Sequence, residues 1–229
     1  MLREIILDTE TTGFHSKGAD RIIEIACLEV IDKRPTEKTF HAYINPKRDV
    51  PFAATKVHNI TTDFLKGKPF FENIAQGFLD FIEDSKLIIH NAPFDMGFLN
   101  AELERASLSA LHMSKAIDTL AIARQKFPGA NNTLDGLCKR FKIDLSNRNF
   151  HGALIDCELL AQVYVELLGG RQKTFSFSNT KILNHEYGVT TQNLRKNISA
   201  RDFHLTEDEK NNHNELLKEI KNPLWEKVS

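Results

Sequence analysis

At 229 residues the chain can bury one sizeable core and carry an appendage. Lys and Arg number 30 against 31 Asp and Glu, a net charge of −1, so the basic excess of a duplex-coating protein is absent and any contact with nucleic acid must run through a metal or a local patch. Cys27, Cys138 and Cys157 are scattered and odd in number, which argues against a disulfide framework or a paired zinc site. Glu4, Asp8 and Glu10 stand where a secretory leader needs an apolar stretch, and no run reaches membrane-spanning length, so a cytoplasmic protein with no membrane partner is expected.

The apolar run Ile5-Ile6-Leu7 passes into Asp8-Thr9-Glu10-Thr11-Thr12-Gly13 and reads as a buried strand closed by a glycine turn. Side chains alternate along a strand, so Asp8 and Glu10 share a face. Two carboxylates on a buried face repel each other and lose hydration unless a cation lies between them. A strand running out into an acidic, Thr-rich turn is the other reading of these residues alone. Arg21 to Asp32 and Thr39 to Ile44 predict a second and third strand, the latter stopped by Asn45-Pro46, which together make an antiparallel meander.

Short helical pieces are expected around Val57-His58-Asn59-Ile60, with Thr61 or Thr62 as a cap, and then an amphipathic helix over about 70–83. Lys86 to His90 predicts a strand, and Asn91-Ala92-Pro93 a helix start with Asn91 as cap. Another strand ends near Ile117-Asp118, a helix runs to about Phe127, Pro128-Gly129 breaks it, and Thr133 caps a short helix. A last helix spans about 152–168. A meander followed by alternating strands and helices predicts an α/β fold with one mixed sheet flanked by helices. From Gly169 the texture turns polar and irregular, a linker, until Leu205 to Lys221 predicts one more helix opened by the capping box Thr206 and Glu209.

Two of these helices repeat the anomaly of the first strand. Asp95 shares a helical face with Phe98, Leu99 and Leu103, and Asp156 with Ala153, Cys157, Leu160, Tyr164 and Leu167, so both acids point inward. Either alone could be a hydrogen-bonded structural Asp. Together Asp8, Glu10, Asp95 and Asp156 offer the hard oxygen ligands of Mg²⁺ or Mn²⁺, and such clusters hold two ions about 3.5–4 Å apart for phosphodiester hydrolysis. His151 is expected on the loop entering the last helix, turned by Gly152, where a histidine suits removal of a proton from the attacking water.

Asp8-Thr9-Glu10-Thr11-Thr12-Gly13, His90-Asn91-Ala92-Pro93-Phe94-Asp95 and His151-Gly152-Ala153-Leu154-Ile155-Asp156 resemble, in order, the three motifs of the DEDDh 3′–5′ exonucleases. The resemblance covers about residues 1–168. It implies a ribonuclease-H-like fold, a mixed five-stranded sheet whose first three strands are antiparallel. It implies two divalent metal ions, Mg²⁺ or Mn²⁺, one held by Asp8, Glu10 and Asp156 and the other by Asp8 with help from Asp95, and it makes His151 the general base. Asp8, Glu10, Thr11, Thr12, Phe94, His90 and Asn91 would meet the substrate, Asn91 being alternatively only a helix cap. Val57-His58 matches a pair that contacts the terminal nucleotide, which makes His58 a substrate contact, while an acid that some members carry nearby is Ala53 here. Asp118 would serve as a helix cap or as a support to the site.

Within that family the chain resembles the proofreading subunits of bacterial DNA polymerase III, which implies a single-stranded DNA 3′ end as substrate and, as partners, the catalytic (alpha) subunit and the sliding clamp. Gln172, Phe175 and Phe177 match a short clamp-binding motif, and Leu216, Ile220, Leu224 and Trp225 fall in a segment that would grip the polymerase or fold back on the nuclease. The expected organisation is an exonuclease domain over 1–170, a flexible linker over 171–203 and a polymerase-binding helical segment over 204–229. A stand-alone exonuclease acting on RNA or DNA ends shares every catalytic residue, and only the tail distinguishes it. A catalytically idle scaffold would have no use for inward carboxylates.

Overall fold

The computed structural model describes residues 2–146, 150–169 and 206–219. Strands β1 (Arg3–Thr11), β2 (Ile22–Ile31) and β3 (Arg34–Tyr43) form the expected meander, and β4 (Lys86–Ile89) and β5 (Ala116–Asp118) complete one sheet of order β3-β2-β1-β4-β5. The β1–β2 and β2–β3 pairs are antiparallel; β1–β4 and β4–β5 are parallel. β1 takes the centre because Ile5, Ile6 and Leu7 are apolar towards both faces, and all three are fully buried. β3 begins at Arg34, five residues before the expected Thr39. Arg34, Pro35, Glu37 and Lys38 spoil the apolar alternation, yet β3 is an edge strand, and an edge tolerates proline and charge.

Helices cover both faces. α1 (Phe52–His58) and α2 (Thr62–Leu65) follow β3, with α1 starting directly after Pro51 and ending where Asn59 turns left-handed at φ 59°. The helical piece therefore precedes the stretch expected for it, because Asn59 stops the helix instead of continuing it. Thr61 caps α2 by accepting the Phe64 N–H at 3.2 Å. α3 (Phe71–Ile82) and α4 (Ala92–Arg105) pack on Ile5, Leu7, Ile25 and Cys27; α5 (Thr119–Lys126), α6 (Leu134–Phe141) and α7 (Ala153–Leu167) pack on Ile6, Ala26, Leu28 and Ile88. The alternation of β1 thus feeds two separate apolar layers, and each fully buried Ile or Leu stabilises its layer by about 1.5–3 kcal/mol.

β1 pairs with β4 only over Glu4–Ile6, while β2 accompanies it to Thr11. Beyond Ile6 one edge of β1 is open, at the carboxyl ends of the parallel strands, where open α/β sheets receive ligands. The β1–β2 register also shifts after Glu10, the kind of irregularity that re-aims neighbouring side chains.

The chain divides into two compact units, 1–177 and 178–229. In the second, α8 (Glu207–Glu219) carries the predicted capping box: Thr206 N–H donates to Glu209 at 2.8 Å and Glu209 N–H to Thr206 Oγ1 at 3.3 Å. Leu216 is exposed on it. The expected linker, with Gln172, Phe175 and Phe177, and the terminal Ile220, Leu224 and Trp225 lie outside the described residues. Among the described residues no helix is long and apolar enough to cross a membrane.

Candidate active site

The four acids meet at the open end of β1. Asp8 and Glu10 project, half-buried, from its α7 side. Asp156 lies in the first turn of α7 and Asp95 in the first turn of α4, both buried and both where a helix N-terminus favours negative charge. α4 and α7 cover opposite faces of the sheet, so the acids arrive from both layers and converge around the strand's end. Asp95 is fixed by Thr9, whose N–H and hydroxyl both donate to its Oδ1 at 3.1 and 2.7 Å. Thr9 points away from Asp8, so one strand supplies acids on one face and the clamp for a third acid on the other.

Burial raises the Asp8 carboxyl well above the usual range, and Asp95, Asp156, Glu10 and Glu24 push it further. Burial likewise lifts Asp95 to about 7 despite the Thr9 hydrogen bonds. Ligand atoms of Glu10, His151 and Asp156 lie within 4.8 Å of one another. Carboxylate oxygens crowded in this way, with an imidazole beside them, are the donor set that a hard divalent ion takes. The fit includes His151 beside the predicted acids.

His151 is placed as the sequence suggests, on the loop before α7. Its Nδ1 stands 3.3 Å from Asp156 Oδ2, and its side chain is 47% exposed. Its backbone N–H donates to Val57 O at 3.1 Å, which ties this loop to α1. The expected role of Gly152 is not borne out: its backbone is extended at φ −153°, and a side chain there would meet nothing within 4 Å.

Glu24 is the residue that sequence reasoning missed. It faces Glu10 across the β1–β2 pair and is 2% exposed. One carboxylate oxygen is 2.7 Å from His41 Nε2, and the other accepts the Ala153 N–H, the first amide of α7, at 3.2 Å. This fifth acid anchors the helix that carries Asp156. An acid inside the run Ile22-Ile23-Glu24-Ile25-Ala26 was the available signal.

Two cavities flank the acids. A mostly apolar one of about 470 Å³ is lined by Thr11, Thr12, Val57, His58 and Phe94. His58 is buried, its Nδ1 accepts the Ile60 N–H at 3.0 Å, and burial lowers its pKa, so it is a neutral ring with the proton on Nε2. The adjoining loop is set by Asp20, which accepts from Thr12 Oγ1 at 3.2 Å, His15 N–H at 3.1 Å and Arg48 at 2.9 Å. A Cβ on Gly13 would come within 2.4 Å of Asp20, which is why the motif ends in glycine. Arg21 then locks the start of β2 to α4 through a two-pronged pair with Glu102, at 2.6 and 2.7 Å.

The other cavity, about 690 Å³, is polar and is lined by Asp8, Asp156, His151, His90, Asn91 and Arg124 among others. His90 bonds Thr119 Oγ1 at 3.0 Å. Asn91 does not cap α4 with its side chain; it is left-handed at φ 72°, and its N–H donates to Asp118 at 3.1 Å. Asp118 also accepts the Leu120 N–H at 3.0 Å and so is the cap of α5 that one reading expected.

Known proteins agree with this geometry. A family model described as exonuclease matches residues 5–164. The DNA polymerase III subunit epsilon of Rickettsia felis is 50% identical over 222 residues, spanning 96% of this chain and 97% of that protein. Among solved structures, exonuclease X in complex with 5′ overhanging duplex DNA aligns at 28% identity and a TM-score of 0.55, over 73% of this chain and 91% of that one. The nuclease domain of 3′hExo, a DEDDh family member bound to rAMP, shares the fold at a TM-score of 0.63 and 20% identity, over 72% of this chain and 91% of that one. With its acids gathered at the end of the central strand and a relative that it matches over 96% of its length, the chain belongs to the exonuclease family and, within it, to the DNA polymerase III epsilon subunits.

Proposed function

We propose that the chain is a metal-dependent 3′–5′ exonuclease that removes terminal nucleotides from single-stranded or frayed DNA as 5′-monophosphates, proofreading for the replicative DNA polymerase III in the cytoplasm. The observation that carries this is the convergence of Asp8, Glu10, Asp95 and Asp156 with His151 at the end of β1. Asp8, Glu10 and Asp156 would hold one Mg²⁺ or Mn²⁺, and Asp8 with Asp95 a second. Bound there, the ions would supply positive charge to the phosphodiester and make water acidic enough to attack it. His151, exposed and hinged on a loop, takes the proton of the attacking water through a ring nitrogen. The apolar cavity receives the terminal nucleoside: Phe94 and Val57 offer surface to the base, Thr11 and Thr12 line the sugar side, and the neutral His58 ring contributes shape without charge.

The relative's name carries the association with the polymerase. Over 1–170 lies the nuclease, over 171–203 a linker whose Gln172, Phe175 and Phe177 suit the sliding clamp, and over 204–229 a helical segment whose Leu216, Ile220, Leu224 and Trp225 suit the alpha subunit. The full chain should degrade single-stranded DNA from the 3′ end only with added metal, and undiminished cleavage in excess chelator would refute the metal scheme. A chain ending at Gly170 should cleave normally yet no longer co-purify with polymerase or clamp.

A further inference from the structure

The cavities on the two sides of the acids differ in the charge they can meet. Among the described residues the apolar one has no lysine or arginine on its wall. The polar one has Arg124, which projects from α5, is exposed, and among the described residues forms no hydrogen bond or ion pair, although Asp8 and Asp156 line the same cleft. Its charge still reaches His90 across the cleft.

A nucleic acid strand presents these two cavities with different demands. The terminal nucleoside brings only the scissile phosphate, which lies over the acids, so a cavity without cations is sufficient for it. Every residue upstream brings one further phosphate and needs a compensating charge. A guanidinium fork matches phosphate oxygens, and an arginine held away from neighbouring carboxylates is free to do so.

We propose that the strand leaves the reaction site through the polar cleft and that Arg124 binds the phosphate one residue upstream of the scissile bond. This rests on the exonuclease reading above, and it adds the direction in which the strand crosses the site. Asp8, Asp156 and His151 line the same cleft as Leu120 and Arg124 of α5, so a strand lying in it passes from the acids onto α5.

Two substrates separate this role from the rest of the machinery. A short oligothymidylate has upstream phosphates; thymidine 5′-(p-nitrophenyl phosphate) has the scissile phosphate and the terminal nucleoside and nothing upstream. In Arg124→Ala the KM of the oligothymidylate relative to that of the ester should rise about tenfold, the loss of one charge-assisted contact. The slope of log KM against log salt for the oligothymidylate should flatten by about 0.7, one phosphate contact on a single strand. Arg124→Lys should restore the slope. A KM ratio within about twofold of the unsubstituted chain, or an unchanged salt slope, would overturn the proposal, because losses shared by both substrates come from the fold or the scissile phosphate. Failure of the unsubstituted chain to cleave either substrate would instead count against the exonuclease reading.

Discussion

Asp8 is the residue with most to lose in the free protein. It is crowded by Asp95 and Asp156 from two helices and by Glu10 and Glu24 from its own sheet, a charge density that hydrophobic packing alone would reject. Removing one member relieves repulsion, so Asp8→Ala and Asp156→Ala should each lose more than about a hundredfold in cleavage while the metal-free melting temperature holds or rises. A fall in melting temperature would assign these acids to the fold. Glu24 acts one step away, by holding the first amide of α7. Glu24→Ala should weaken Mn²⁺ binding about 10–100-fold in a calorimetric titration, with activity recovered at higher metal, whereas Glu24→Gln keeps an acceptor for the Ala153 N–H and should lose less. The four inward acids were legible because each breaks an apolar periodicity. Glu24 breaks one too, but its partners are a backbone amide 129 positions away and a histidine on the edge strand, and no local pattern encodes either.

At the level of elements, what was legible tracks how local the cause is. β1, β2, α4 and α7 follow from periodicity over a turn or a pleat, and their inward faces are those the spacing predicts. β3 started earlier than expected because its exposed stretch is permitted by its place in the sheet, which sequence does not state. Asn91 shows the same limit: it has the composition of a cap, but its side chain gives way to Asp118, which bonds its N–H from β5. Gly13 is the opposite case, a glycine whose necessity appears only when Asp20 folds back on it. Gly13→Ala should force the Asp20 side chain aside, cost about 1–3 kcal/mol in denaturant unfolding, and raise KM for single-stranded DNA by loosening the wall of the apolar cavity. Unaltered stability would mean that the loop rearranges at no cost.

For the molecule as a whole, the acids link folding to pH and to metal. Burial raises the folded pKa of Asp8 and takes that of Asp95 to about 7, against about 3.9 for an unfolded aspartate. The folded state therefore binds these protons more tightly. Their contribution to stability is complete below the unfolded value and is lost as pH rises through the folded one. In chelator the melting temperature should fall between about pH 4 and pH 7, and Mn²⁺ should restore it above that range by binding only the folded form. A melting temperature that climbs over the same interval without metal would exclude the raised carboxyls.

The arrival of Asp95 and Asp156 from opposite faces of the sheet has one more consequence. Neither apolar layer can assemble the site by itself, so a partly folded chain that keeps one layer and loses the other has no cutting centre. Cleavage is then a property of the completed tertiary structure. An enzyme that destroys DNA ends is by this geometry silent until both layers have closed on the sheet, and silent again once either is lost.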